Sequence, residues 1–410
     1  MMPFSLQKTS IRVLVCPSGF KGSLSPQKAA DCIETGIMAV VPNASIRKVP
    51  LVDGGEGFTE GLVKATSGSM RYTTVIGPVG IPVPSFFGLL GPTARSFSRT
   101  AVIEIAAAAG LSLVPNHLRN PSVTTTYGVG ELLLAAIDAG AEHIIIGCGD
   151  SGTCDGGAGM LQALGATLFN VDGNPIPLAS GGRPLTHLSR IDLRNVDSRI
   201  KSVTVEVAVN WSNVLCGPNG VARVFGAQKG ATAMDTEELA QAMDVLASVA
   251  CPLLEDLMAG SAPGGGASGG LGTGLRLLGA KLRPRYDVVA EYIDFSTLFD
   301  NCDLVLTAEG AIDDQTPRGK IPAEIGTRAK KFGLPVVAIV GTIGPGARVN
   351  YDAGIDAFTC ILQKPSTLDE VVEDAERLTR ESAECVMRII AVGRMLASRE
   401  VVRMPASVIA

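Results

Sequence analysis

The stretch EHIIIGCGDSGTCDGGAGMLQALG runs from Glu142 to Gly165. Three consecutive isoleucines give way to a loop of glycines, carboxylates and hydroxyls, and MLQAL then restores a helical pattern. A short apolar run that enters a glycine loop and leaves it as a helix is one step of a parallel α/β sheet. The loop, Gly147 to Leu161, reads as a phosphate cradle, a metal site or an idle turn. The strand-to-helix placement puts Asp155 near the helix start, where free N–H groups would suit an anion.

The same step recurs along the chain. IRVLV (11–15) reads as a strand, and SPQKAADCIETGIMAVV (25–41) as a helix with Ser25 as N-cap and Pro26 in the first turn. SIRKVPL (45–51) is a strand and GFTEGLVKATSG (57–68) a helix. DLVLTAEG (303–310) and PVVAIVG (335–341) are buried strands that run into glycine loops. Two glycine- and proline-rich stretches, 77–96 and 262–275, read as boundaries. They predict a discontinuous outer domain, residues 1–76 plus 285–410, around an inserted α/β domain, residues 77–284. The segment 370–396 has helical periodicity and is expected to cover a sheet face. No repeat of 20–50 residues is evident.

Composition bounds the function. At 410 residues, the chain is long enough for two or three domains at about 150 residues each. Hydrophobic residues make up 46%, enough for a large core, and aromatics only 4%, too few for a base-stacking surface. The net charge of −5, without a basic block, argues against nucleic-acid binding. No apolar run is long enough to span a membrane, and no signal peptide precedes IRVLV. The cysteines are odd in number and scattered, as expected of reduced thiols in a cytoplasmic protein.

The remaining polar loops sit where strands end. PSGFKGSLSP (17–26) offers Lys21 and Ser23 to an anion, or is a solvated turn. VDGGEGF (52–58) brings Asp53 and Glu56 together around Gly54 and Gly55, for Mg²⁺, for a hydroxyl nucleophile, or as a capped glycine turn. Thr124, Thr125, Thr126 and Tyr127 precede a helix near Gly128 and suit a phosphate, a carboxylate or a cap. Asn210 and Asn213 end the strand VTVEV, and Gln228 and Lys229 follow in FGAQKGA. TAEGAIDDQTPRGK (307–320) carries Glu309, Asp313, Asp314, Gln315 and Lys320, a set suited to metal–phosphate chemistry or to a solvated loop. The three histidines fit no metal-ligand spacing, and no Walker A loop is present. GASGG (266–270) matches G-x-S-x-G without a strand ahead of it and reads as a chance match.

Taken in order, FKGSLS, DGGEG, IEIAAAAGL, TTTYGVGEL, DGGAGMLQALG, CGPNG, QKGA, EGAIDDQT with GK, and AIVG resemble the bacterial-type glycerate kinase family, over about Ile11 to Lys364. The resemblance implies two α/β domains, one flavodoxin-like with a largely parallel sheet, with a cleft between them that takes a small substrate. It implies ATP- and Mg²⁺-dependent phosphorylation of D-glycerate, catalysed mainly by positioning and charge neutralisation. On that pattern Lys21, Asp53, Asn210 and Asp313 are the catalytic candidates. Substrate would meet Ser23, Gly54, Gly55, Glu56, Phe58, Thr125, Thr126, Tyr127, Trp211 and Lys229. The nucleotide would meet Ser151, Thr153, Cys154, Asp155, Gly156, Gly157, Glu309, Gln315 and Lys320, with Asp155 and Asp313 on the metal. A homodimer is compatible with the pattern.

Several positions depart from the family pattern. Ser18 and Asn210 stand for aspartates, Asp150 for a glycine, Cys154 for an asparagine, Val214 for a proline, Ala311 for an arginine and Phe58 for a threonine. Asparagine keeps hydrogen bonds but takes no proton at neutral pH, and alanine replaces none of an arginine's grip on phosphate. These changes leave a second expectation beside the kinase. It is a protein of the same fold that no longer phosphorylates, turned into a lyase, isomerase or cyclase on a more apolar oxygenated metabolite, or into a binding protein.

Overall fold

Apolar runs become central strands where both of their faces are covered, and Ile103, Ile145, Val207 and Leu306 are all fully buried. The computed structural model describes residues 11–20, 22–51, 54–92, 99–292 and 297–403, leaving aside the side chains of 318 and 398–403. The chain begins β1 (Arg12–Pro17), α1 (Pro26–Val40), β2 (Ser45–Lys48), α2 (Phe58–Ala65), β3 (Ser69–Ile76), β4 (Pro82–Leu89), β5 (Thr100–Glu104) and α3 (Ala106–Ala109). It continues α4 (Tyr127–Asp138), β6 (His143–Gly147), α5 (Ala158–Ala163), β7 (Thr167–Asn170), β8 (Leu188–Asp192), β9 (Thr204–Val209), α6 (Val221–Phe225), α7 (Ala233–Leu254) and α8 (Ala267–Arg276). Then come β10 (Lys281–Pro284), α9 (Arg285–Val289), β11 (Leu304–Ile312), α10 (Ile321–Lys330), β12 (Val336–Ile343), β13 (Ala357–Cys360) and α11 (Leu368–Arg403).

Two compact units form, Met1–Val52 with Phe295–Ala410, and Asp53–Asp294. The first holds a five-stranded sheet in the order β13-β12-β11-β1-β2, parallel throughout. Numbered within the unit this is 2-1-3-4-5, the flavodoxin-like order, whose direction reverses between β1 and β11. Helix α1 starts as its sequence demands: the Ser25 side chain accepts the Lys28 N–H and Pro26 opens the first turn. Helix α11 packs along α1 so closely that a Cβ on Gly36 would strike the Arg380 carbonyl.

The second unit holds a six-stranded sheet, β10-β9-β6-β5-β4-β3. Its first four strands are parallel, and the β4 and β3 edge is antiparallel. A small antiparallel pair, β7 and β8, stands beside it. Both expected boundaries fall inside this unit. The 76/77 boundary lies in the β3–β4 hairpin, where the Gly77 N–H donates to Ile81 O. The 262–275 run is a core segment: Ala267 through Leu275 are buried. A Cβ on Gly269 would strike Thr153 O, so glycine serves close packing there, where a linker would need mobility. Among the described residues no helix is long and apolar enough to cross a membrane.

Candidate functional site

The expected site residues fall into two groups, one on each unit, while Lys21 and Asp53 lie outside the described residues. In the first unit the strand order reverses between β1 and β11, where doubly wound sheets bind ligands, and the loop after β11 is held to the loop after β12, the Asp314 N–H donating to Pro345 O and Asn350 Nδ2 to Asp313 O. The Ser18 N–H and Oγ both donate to Ala308 O, at 2.8 and 3.0 Å, which ties the first loop to β11. Ser23 Oγ donates to Phe20 O at 3.2 Å and so closes its own turn. Asp313 Oδ1 accepts from the Gln315 N–H (3.0 Å), Thr316 Oγ1 (3.1 Å) and Lys320 Nζ (3.1 Å). The pair holds a half-buried cation and anion at the mouth of β11, with the Gln315 side chain exposed beside it. Glu309, part-buried, lies on β11 itself.

In the second unit the loop after β6 is braced from within. Asp155 is 0% exposed. Its Oδ2 accepts from the Thr126 N–H (2.8 Å), Thr126 Oγ1 (2.9 Å) and the Gly159 N–H (3.2 Å), and its Oδ1 from the Gly157 N–H (3.1 Å). Burial raises its carboxyl above the ordinary range, and these donors oppose the rise. One carboxylate thus caps α5 and anchors the segment entering α4. That corrects the expectation of Asp155 as a metal ligand: it is wholly enclosed, with both oxygens held by protein donors. The Gly156 N–H donates to Gly269 O, so the loop's glycine amides are likewise committed to the protein. Gly159 has no substitute, because a Cβ there would strike Thr125 Oγ1.

Lys229 is a buried cation of this unit, 4% exposed. Its Nζ donates to Ser151 Oγ at 2.8 Å and to Thr153 O at 2.7 Å. Thr125 Oγ1 accepts the Tyr127 N–H at 3.2 Å, leaving the tyrosine half-buried. Two further expectations are corrected. Phe58, 0% exposed, packs beneath Gly147 as the first residue of α2 and is a core side chain, not a substrate wall. Cys154 is buried, and burial pushes its thiol up to about 11, so it too belongs to the core rather than to a nucleotide site. Asn210 Oδ1 accepts from the Ser212 N–H (3.2 Å) and Ser212 Oγ (2.8 Å), an Asx turn that ends β9, and Trp211 beside it is 46% exposed.

Ser268 has the left-handed backbone of a nucleophile elbow (φ 53, ψ 49), but turns rather than a strand lead into it. The loop Gly54–Gly57 lies against the segment that follows β6, where a Cβ on Gly149 would lie 2.5 Å from Gly55 N. Glu104, at the end of β5, carries no spacing signal and was not among the expected residues. It is 3% exposed, with burial pushing its carboxyl up to about 7, and it accepts the Gly57 and Thr59 amides at 3.3 and 2.9 Å. The signal that could have found it is a carboxylate inside the apolar run AVIEIAAAAGL, which has to find donors when buried. Among the described residues no group of three or more His, Cys, Asp or Glu is placed to hold a metal by itself.

The sequence model of the glycerate kinase family matches residues 13–391. A curated glycerate kinase of Bacillus subtilis is 44% identical over 92% of this chain and 98% of its own length. A glycerate 2-kinase of Escherichia coli is 39% identical over 93% of this chain and 99% of its own. A crystal structure assigned to glycerate kinase 2 of Salmonella typhimurium superposes with a TM-score of 0.70 at 39% identity, covering 94% of this chain and 100% of that one.

Proposed function

The chain belongs to the glycerate kinase family, and from that membership we propose that it transfers the γ-phosphoryl group of ATP to a hydroxyl of D-glycerate or a related small hydroxy acid. The observation that carries the reading is the extent of the likeness, which runs through nearly the full length of relatives named glycerate kinase. Phosphoryl transfer asks a protein mainly for positioned cations, hydroxyls and amides. The described residues offer cations and a hydroxyl in the two units: the Lys320–Asp313 pair after β11, and Lys229 with Ser151 after β6.

In this reading Lys229 and Lys320 are each assigned to neutralise phosphate charge. Asp313 holds Lys320 in place, and Ser151, fixed by Lys229, orients a phosphate oxygen. Gly54, Gly55 and Glu56 meet the hydroxy acid. Lys21 and Asp53 are assigned a phosphate-binding cation and the group that takes the hydroxyl proton. A bound Mg²⁺ would supply charge neutralisation for the phosphates. An ion held largely by phosphate and water needs only one or two protein carboxylates, and Asp313 is the one assigned to it.

The test is ADP release from ATP, D-glycerate and Mg²⁺, with the product identified by phosphorus NMR as the 2- or 3-phosphate, alongside calorimetric titration with ATP. Turnover with a phosphoglycerate product is the expected result. Absence of both turnover and nucleotide binding would overturn the reading.

A further inference from the structure

Helix α2 begins without a side-chain cap of its own. Its N-cap is Gly57, in the left-handed region (φ 88), and no side chain at that position accepts a first-turn amide. A serine, threonine or aspartate there would normally do so. Instead the acceptors come from elsewhere in the sheet. Glu104 Oε2 takes the Thr59 N–H at 2.9 Å and Glu104 Oε1 the Gly57 N–H at 3.3 Å, across 45 and 47 positions. Asp150 Oδ2, 94 positions away, takes the Glu56 N–H at 3.1 Å.

The two acceptors stand at the ends of neighbouring strands. Glu104 closes β5 and pairs in register with Gly147 of β6, and Asp150 follows three residues later. Asp150 is itself left-handed (φ 50), a conformation an aspartate tolerates where most side chains do not. Ahead of the anchored amides the backbone runs close to the segment just past β6: a Cβ on Gly54 would approach Cys148 N to 3.2 Å.

We propose that Glu104 and Asp150 are positioning residues that clamp the loop Gly54–Gly57, from the end of β5 and from the loop after β6, and fix where it meets the hydroxy acid. The proposal rests on the assignment of Gly54–Glu56 to that substrate. A buried carboxylate is a costly way to cap one helix. Holding a binding loop to the sheet gives the expense a purpose that a local cap would not serve.

The test combines amide hydrogen exchange with steady-state kinetics on the full chain. Glu104→Gln keeps one acceptor oxygen and is expected to speed exchange at Gly57 or Thr59 about tenfold. Asp150→Gly should do so at Glu56 alone, and Asp150→Asn should restore protection there. KM for the hydroxy acid should rise about tenfold in Glu104→Gln and Asp150→Gly, with kcat less affected. Unchanged exchange at 56, 57 and 59 in both variants, with folding retained, would overturn the clamp. Exchange that changes while KM stays constant would overturn its link to substrate. A wild-type chain without kinase turnover would defeat the assigned function and leave the exchange result to decide the clamp. If Glu104→Gln does not fold, Asp150→Gly alone decides it.

Discussion

The polar groups of the two units are handled differently. In the flavodoxin-like unit, Asp313 and Lys320 face one another half-buried, each side chain keeping about a quarter of its exposure. In the other unit, Asp155, Glu104 and Lys229 are almost wholly enclosed, and each holds backbone or a hydroxyl. A half-exposed pair is weakened by water and salt and can exchange partners when a ligand arrives. An enclosed group has its geometry set before binding, and removing its partner leaves donors stranded. The first unit is therefore adjustable at its strand ends and the second is preset.

The contrast can be broken most severely at Asp155. Asp155→Ala leaves the amides of Thr126, Gly157 and Gly159 without their acceptor, and is expected to destabilise the chain by roughly 3–5 kcal/mol, read from urea unfolding. Lys229→Met comes next. It removes the enclosed ammonium from Ser151 and should lower kcat by about 10²–10³, with binding of the hydroxy acid less affected. If kcat falls less than tenfold, Lys229 is a structural cation only.

A pH experiment probes Glu104. Its carboxyl is raised from 4.5 to about 7 in the folded protein. Burial is the leading cause, Glu60 and Glu56 add to it, and the Thr59 and Gly57 amides oppose it. The folded state therefore holds this proton more tightly than the unfolded chain does. The stabilisation is complete below pH 4.5 and is lost as pH rises through about 7, by up to roughly 3 kcal/mol. Melting temperatures at pH 5 and pH 8 should differ less in Glu104→Gln than in the wild type. The smallest effect belongs to Asp313→Ala, which should shift stability by no more than about 1 kcal/mol while reducing turnover. A stability loss of several kcal/mol there would erase the distinction between the units.

Periodicity and caps made much of the fold legible. The run of isoleucines before Gly147 is β6, Ser25 caps α1, and the apolar runs at 303–310 and 335–341 lie in β11 and β12. The errors share a cause. Glycine in the 262–275 run and in the 77–81 turn has the composition of a linker whether it is mobile or packed against backbone, and only the fold distinguishes the two. At the candidate site, residue types pointed to loops, but not to which groups face inward. Phe58, Cys154 and Asp155 stand in loop motifs and are core, because the loops themselves are packed. Glu104 was illegible because its partners lie 45 and 47 positions earlier, on another element.

The discontinuity of the flavodoxin-like unit dictates an order of events during synthesis. Strand β1 lies between β2, made soon after it, and β11, whose first residue Leu304 pairs with Val13. Arg12 and Asp303, joined by hydrogen bonds, are 291 positions apart. The ribosome therefore releases the whole of Asp53–Asp294 before the centre of that sheet can close. An early fold of the inserted unit shortens the effective loop between β1 and β11, and so eases a closure that would otherwise be slow. Until then β1 presents an unpaired apolar edge, the state in which a nascent chain is most exposed to aggregation.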